Sequence, residues 1–223
     1  MSGKRLAPTN TILIGGVDPF KQGLEGVTYL GMEWVLNPIV RNDIPVTELL
    51  ASVGGAYYPE RRDQLVRILD IDVNWRMHAV SDGERRRVQL AMGLLRPWSI
   101  LLLDEVTVDL DVLARARFLG FLKEETETRP CTVVYATHIL ESAGGWATHL
   151  ARVTLGGVKY YGETEQVLAA EAERGGKGRN EVGLLEVVLR WLEEDLEARG
   201  PRGSKKSEAV SYSDLTKVPD IKV

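Results

Sequence analysis

Two adjacent carboxylates, Asp104 and Glu105, close an apolar run that reads S-I-L-L-L-D-E-V-T-V-D-L-D from Ser99 to Asp111. At the C-terminal end of a parallel strand, such groups sit where α/β sheets bind their ligands. Asp104 there can hold Mg²⁺ through water, and Glu105 can polarise a water that attacks a terminal phosphate. An Asp-Glu pair also ends strands and caps helices with no chemistry attached, and for this run alone the two readings stand level. A second candidate lies upstream, where Val80-Ser81-Asp82-Gly83-Glu84 opens a helical stretch and runs into Arg85-Arg86-Arg87. Backbone N–H groups and the helix dipole at Ser81 and Gly83 suit an anionic phosphate. Taken alone, that segment reads more simply as an N-cap serine followed by solvated arginines.

The elements around these residues follow from periodicity. Ile100 to Leu103 and Thr132 to Ala136 are continuous apolar strands, and Gly83 to Leu95 and Asp111 to Glu127 are amphipathic helices. Apolar strands separated by such helices predict a parallel sheet covered on both faces. Upstream, Thr11 to Val17 and Gly26 to Leu30 predict a small β region, and Val46 to Asp70 predicts two short helices, the second starting at Pro59. Downstream, Thr148 to Leu155 and Val158 to Tyr161 predict an antiparallel pair across Gly156-Gly157, with a helix from about Glu163. Glu181 to Arg199 is an amphipathic helix whose Leu185, Val188, Leu189, Leu192 and Leu196 share one face, stopped by Gly200-Pro201.

Composition narrows the function classes. The chain of 223 residues carries 28 Lys and Arg against 32 Asp and Glu, a net charge of −4 with the signs interspersed, so no basic footprint for nucleic acid stands out. No apolar run is long enough to span a bilayer, and no signal-type stretch follows Met1. With Cys131 the one cysteine, a reducing cytoplasm or nucleus is the expected location.

In order and spacing these motifs resemble the nucleotide-binding domain of ABC ATPases. Val80 to Glu84 resembles the signature loop (usually L-S-G-G-Q), Asp104-Glu105 the Walker B pair, Asp109-Leu110-Asp111 the D-loop, and Val133 to His138 (VVYATH) the strand and switch histidine. The likeness runs from about Thr11 to Gly162. It implies an α/β, P-loop NTPase-like fold with a parallel core sheet, a small antiparallel β region and a helical subdomain. It also implies ATP and Mg²⁺ as cofactors, Asp104 as the metal holder and Glu105 as the water-polarising base. His138 would contact the γ-phosphate, and Ser81, Gly83, Asp109 and Asp111 would face nucleotide across a dimer with a second ABC domain. The Q-loop glutamine stands here as Met32, beside Glu33, which becomes a candidate γ-phosphate sensor. Tyr29 to Trp34 and the two motif runs further resemble a soluble branch of the family associated with the fungal Ccr-Not complex.

Departures from the family set the remaining expectations. No G-x-x-x-x-G-K-[ST] run occurs, so the chain reads as starting after the P-loop and its strand. ATP binding by this sequence alone is expected to be feeble, and a parallel-strand edge is expected to lack a partner. Asp82 and Glu84 replace the usual Gly and Gln, placing extra negative charge beside a phosphate site. The expected organisation is a partial ABC domain at 1–173 with a helical subdomain at about 42–95. A linker at 174–180, the amphipathic helix at 181–199 and a disordered tail at 200–223 complete it. The rival readings are a catalytically silent partner-binding module and the ATPase subunit of a membrane transporter.

Overall fold

A computed structural model of the chain describes residues 13–14, 16–18, 25–31, 38–140, 143, 145–154 and 156–200. Met32, Glu33 and residues 201–223 of the tail expected at 200–223 lie outside them. Two compact units divide the chain, residues 1–138 and 139–223.

In the first unit three strands, β1 (Val27–Leu30), β2 (Ile100–Asp104) and β3 (Thr132–Ala136), pair in parallel in that spatial order. Central β2 is hydrogen-bonded on both edges, and its Leu101, Leu102 and Leu103 are all buried. This explains a run of leucines where a half-exposed strand would alternate. Each such side chain contributes about 2 kcal/mol by leaving water. Beyond β3 no further strand of this sheet occurs among the described residues.

The small β region expected upstream is different in kind. Val27–Leu30 is an edge of the parallel sheet, in register from Val27 with Ile100 to Leu30 with Leu103. Of the stretch from Thr11 to Val17, Ile14 and Val17 exchange backbone hydrogen bonds across a turn at Gly16, whose φ is +82°. This makes a tight reversal between Ile14 and Val17.

Among the described residues of this unit, four α-helices accompany the sheet: α1 (Val46–Ser52), α2 (Pro59–Ile68), α3 (Asp82–Leu94) and α4 (Val112–Thr128). Pro59 opens α2 because a first-turn residue needs no N–H partner. Helix α3 can lie close against β1 because residue 93 is glycine; a Cβ there would stand 2.3 Å from Leu30 Cδ2. Helices α2 and α4 are tied by Arg61, which donates to both Glu125 carboxylate oxygens at 3.0 and 2.8 Å, and Arg129 adds a bond at 2.9 Å. Burial pushes the Glu125 carboxyl up, but the two guanidiniums outweigh it and hold the group below its ordinary value.

The second unit contains the antiparallel pair β4 (His149–Thr154) and β5 (Gly157–Glu163), followed by α5 (Thr164–Gly175) and α6 (Leu184–Arg199). Val167, Ala172, Leu184 and Val187 form its buried apolar centre. The flexible connector expected at 174–180 is largely occupied by regular structure. Helix α5 runs through Gly175, Gly176 caps it at φ +61°, and a 3₁₀ turn spans Arg179–Glu181. No helix among the described residues is long and apolar enough to cross a membrane.

Candidate functional site

The C-terminal ends of β2 and β3 bring the expected catalytic residues together. Asp104 pairs with Ala136 in the sheet, and the Glu105 N–H donates to the Ala136 carbonyl at 3.0 Å. The chain turns sharply here because Glu105 has φ +53°, a left-handed conformation that costs a residue with a side chain about 1 kcal/mol or more. Its carboxylate reaches the strand-end histidine, with Glu105 Oε1 2.9 Å from His138 Nδ1. The other oxygen, Oε2, is buried with no hydrogen-bond partner. An orphaned buried acceptor on strained backbone makes Glu105 the candidate site residue of this sheet end.

Asp104 is exposed at the same sheet end and accepts from Tyr29 Oη at 3.3 Å. Among the described residues no cluster of three or more His, Cys, Asp or Glu side chains converges to cage a metal. Two hard carboxylates beside an open face nevertheless fit Mg²⁺, which keeps several waters and takes its other ligands from phosphate oxygens. Asp104 is the side chain that would hold it, and the ion would supply charge stabilisation to a phosphoryl group.

The signature segment is built as a helix cap. Ser81 Oγ accepts from the Glu84 N–H at 3.3 Å, while Glu84 Oε2 accepts from the Ser81 N–H at 2.7 Å and from Oγ at 2.8 Å. The Ser81 backbone bond, chief among these, holds the Glu84 carboxyl below its ordinary value. Asp82 accepts from Arg41 at 3.0 Å and from Arg85 at 2.8 Å. The two carboxylates that replace the family's Gly and Gln are thus each engaged locally.

Of the three arginines after the cap, Arg85 and Arg86 are buried and Arg87 half-buried, contrary to the plain reading of a basic run. Arg86 is 1% exposed and donates to the Gly31 carbonyl at 2.9 Å, to Asp109 Oδ2 at 3.2 and 3.3 Å, and to Gln89. Arg87 donates to Asp111 at 2.5 Å and Asp70 at 3.1 Å, and Arg85 to the Met77 carbonyl at 3.0 Å. The charges fold inward because α3 packs against strand and turn backbones whose carbonyls need donors. Asp109 and Asp111, expected to face nucleotide, therefore present their carboxylates to α3. Asp111 also caps α4, accepting from the Ala114 and Leu113 N–H groups at 2.9 Å. The Ala114 bond leads, with Arg87, in holding its carboxyl low. Gly83 belongs to the same arrangement, since a Cβ there would stand 2.8 Å from the Asp109 carbonyl oxygen. Glu33 lies outside the described residues.

Arg86 and Tyr29 stand in runs named from the sequence without a role for either residue in this framework, and Gln89 was not singled out. Gln89 was visible only as a polar residue on an otherwise apolar helix stripe; it also donates to the Gly31 carbonyl, at 3.0 Å.

The chain is similar to curated relatives. It is 52% identical over 172 residues to "CCR4-associated factor 16" of Saccharomyces cerevisiae (strain ATCC 204508 / S288c), covering 70% of this chain. It is 38% identical over 222 residues to "ABC transporter I family member 20" of Arabidopsis thaliana, covering 94% of this chain. The chain spans 60 and 65% of the lengths of these two relatives. Residues 58–142 match a family model described as "AAA domain, putative AbiEii toxin, Type IV TA system". Among solved structures, "Structure of ATP binding subunit of ABC transporter" superposes with a TM-score of 0.57 at 20% identity, covering 75% of this chain and 68% of that one. A cbiO1 structure from Clostridium perfringens gives a TM-score of 0.51 at 19% identity, with coverages of 78 and 66%. With the parallel sheet, the paired carboxylates at its end and the capped signature helix, these likenesses identify the chain as an ABC ATPase-type domain.

Proposed function

We propose that the protein binds and hydrolyses Mg²⁺-ATP as a non-transporter ABC-type ATPase, driven by closure against a second ABC domain. The observation that carries this reading is the Glu105–His138 contact beside Asp104, with Glu105 Oε2 buried and unpartnered. In it, Glu105 polarises the attacking water, His138 positions that water and the γ-phosphate, and Asp104 holds the metal. Ser81 and Gly83 present the cap of α3 to the nucleotide of the opposing domain, and Asp109 and Asp111 fix the turn that supports them. Glu33 senses the γ-phosphate. The catalytic domain is taken as 1–173, with its helical subdomain at about 42–95.

The similarity to a protein named as a CCR4-associated factor supports a regulatory role with the Ccr-Not complex, in cytoplasm or nucleus. The test is ATP turnover by the native protein with Glu105→Gln. The expected result is a loss of about 100-fold or more with nucleotide binding retained. Unchanged turnover, or a wild-type protein that hydrolyses no ATP, overturns the reading. An association with Ccr-Not subunits that survives the substitution is the expected companion result; co-purification with an integral membrane protein instead favours a transporter subunit.

A further inference from the structure

Helix α6 turns an apolar stripe outward. Leu185, Leu189, Leu192 and Leu196 recur at intervals of four, three and four residues, and they are 54, 49, 58 and 55% exposed. That spacing is the seam of a two-helix coiled coil. The opposite face is the packed one, where Leu184 and Val187 are buried and Trp191 meets Tyr160 of β5, ring centroids 5.5 Å apart.

Buried charge fixes this orientation. Arg152 of β4 is 8% exposed and donates to Glu194 at 2.6 Å, to Asp195 at 2.6 Å and to the Trp191 carbonyl at 2.8 Å. Arg190 is held by Glu171 of α5 at 2.7 Å and by Glu194. Rolling the helix to bury its leucines would strand the Arg152 guanidinium without its carboxylates, a change more costly than the exposed stripe. The stripe is therefore presented by the fold itself.

Its borders say what fits. At helical spacing, Glu186, Glu193 and Glu197 line one flank of the stripe, and Val188, Asp195 and Arg199 the other. A second copy of α6 would bring the same glutamate row and only Arg199 to meet it, so like charges dominate self-pairing. We propose that α6 docks an amphipathic helix of a partner protein, with leucine-type residues on its seam and Lys or Arg on its flanks. This goes beyond the nucleotide chemistry and does not depend on it.

The experiment uses the full chain and three labelled synthetic helical peptides, with binding followed by fluorescence anisotropy. One peptide carries a leucine heptad seam flanked by lysine, one the same seam flanked by glutamate, and the third is the lysine peptide scrambled to break the seam. The expected result is at least tenfold tighter binding of the first than of either control, abolished by Leu189→Glu/Leu192→Glu. Those positions are exposed, and an unchanged circular dichroism spectrum is the expected control. Glu193→Lys/Glu197→Lys is expected to move the preference about tenfold toward the glutamate peptide. Equal binding of the scrambled peptide, or no binding, overturns the proposal. So does a chain that dimerises through the leucines without telling the peptides apart, because the occupant would then be a second copy.

Discussion

Four acidic residues flank the short connection from β2 to α4, and the two ends of that connection treat them in opposite ways. Asp109 and Asp111 are met by the Arg86 and Arg87 guanidiniums and, for Asp111, by two helix N–H groups. Asp104 has a tyrosine hydroxyl; Glu105 has one histidine contact, one orphaned oxygen and a left-handed backbone. Carboxylates paired with guanidiniums and helix N–H groups on relaxed backbone add to stability. An uncompensated carboxylate oxygen on strained backbone, as at Glu105, lowers stability, and such features cluster at functional sites. Similar residue types are thus paired with guanidiniums at one end of the connection and left short of partners at the other, the end to which the proposed function assigns the chemistry.

The comparison is sharpened first at its most buried point. Arg86→Ala leaves Asp109 without its donor and the Gly31 carbonyl with Gln89 alone beneath α3, and is expected to cost about 3 kcal/mol in urea unfolding; a loss under 1 kcal/mol would mean that the arginine is peripheral. Next comes the structural carboxylate Glu125, whose Gln variant is expected to cost about 2 kcal/mol at neutral pH. Because its folded value lies below the ordinary 4.5, its contribution is complete above pH 4.5 and disappears as pH falls through the folded value. The Gln variant should therefore show a flatter acid limb in a stability–pH series, and an unchanged limb would contradict the assignment. Asp111→Ala removes a cap and an exposed ion pair, for about 1.5 kcal/mol by thermal unfolding. Glu105→Gly carries the opposite sign, with stability rising by roughly 1 kcal/mol as the left-handed strain is released. A fall in melting temperature there would break the contrast.

What could be read in advance was local. The leucine run of β2 and its terminal carboxylates, the serine cap at Ser81 and the aspartate cap at Asp111 are written within a few residues of themselves. The placement of Val27–Leu30 was not, because four residues reveal their sheet only through pairing with β2 far along the chain. Arg85 and Arg86 read as solvated charge, and only the packing of α3 against distant carbonyls shows them buried. For α6 the pattern identified an apolar face, yet the packed residues are Leu184 and Val187, and the leucine stripe faces outward. A period locates a face without naming its neighbour.

The most direct measurement compares two substitutions in the native protein, Glu105→Gln and Asp111→Asn, by their rates of Mg²⁺-ATP turnover. The account predicts that the first loses about 100-fold or more, while the second, which keeps a capping side chain, stays within a few-fold of wild type. Equal losses in the two, or full turnover in Glu105→Gln, would contradict the division between a chemical and an architectural pair of carboxylates.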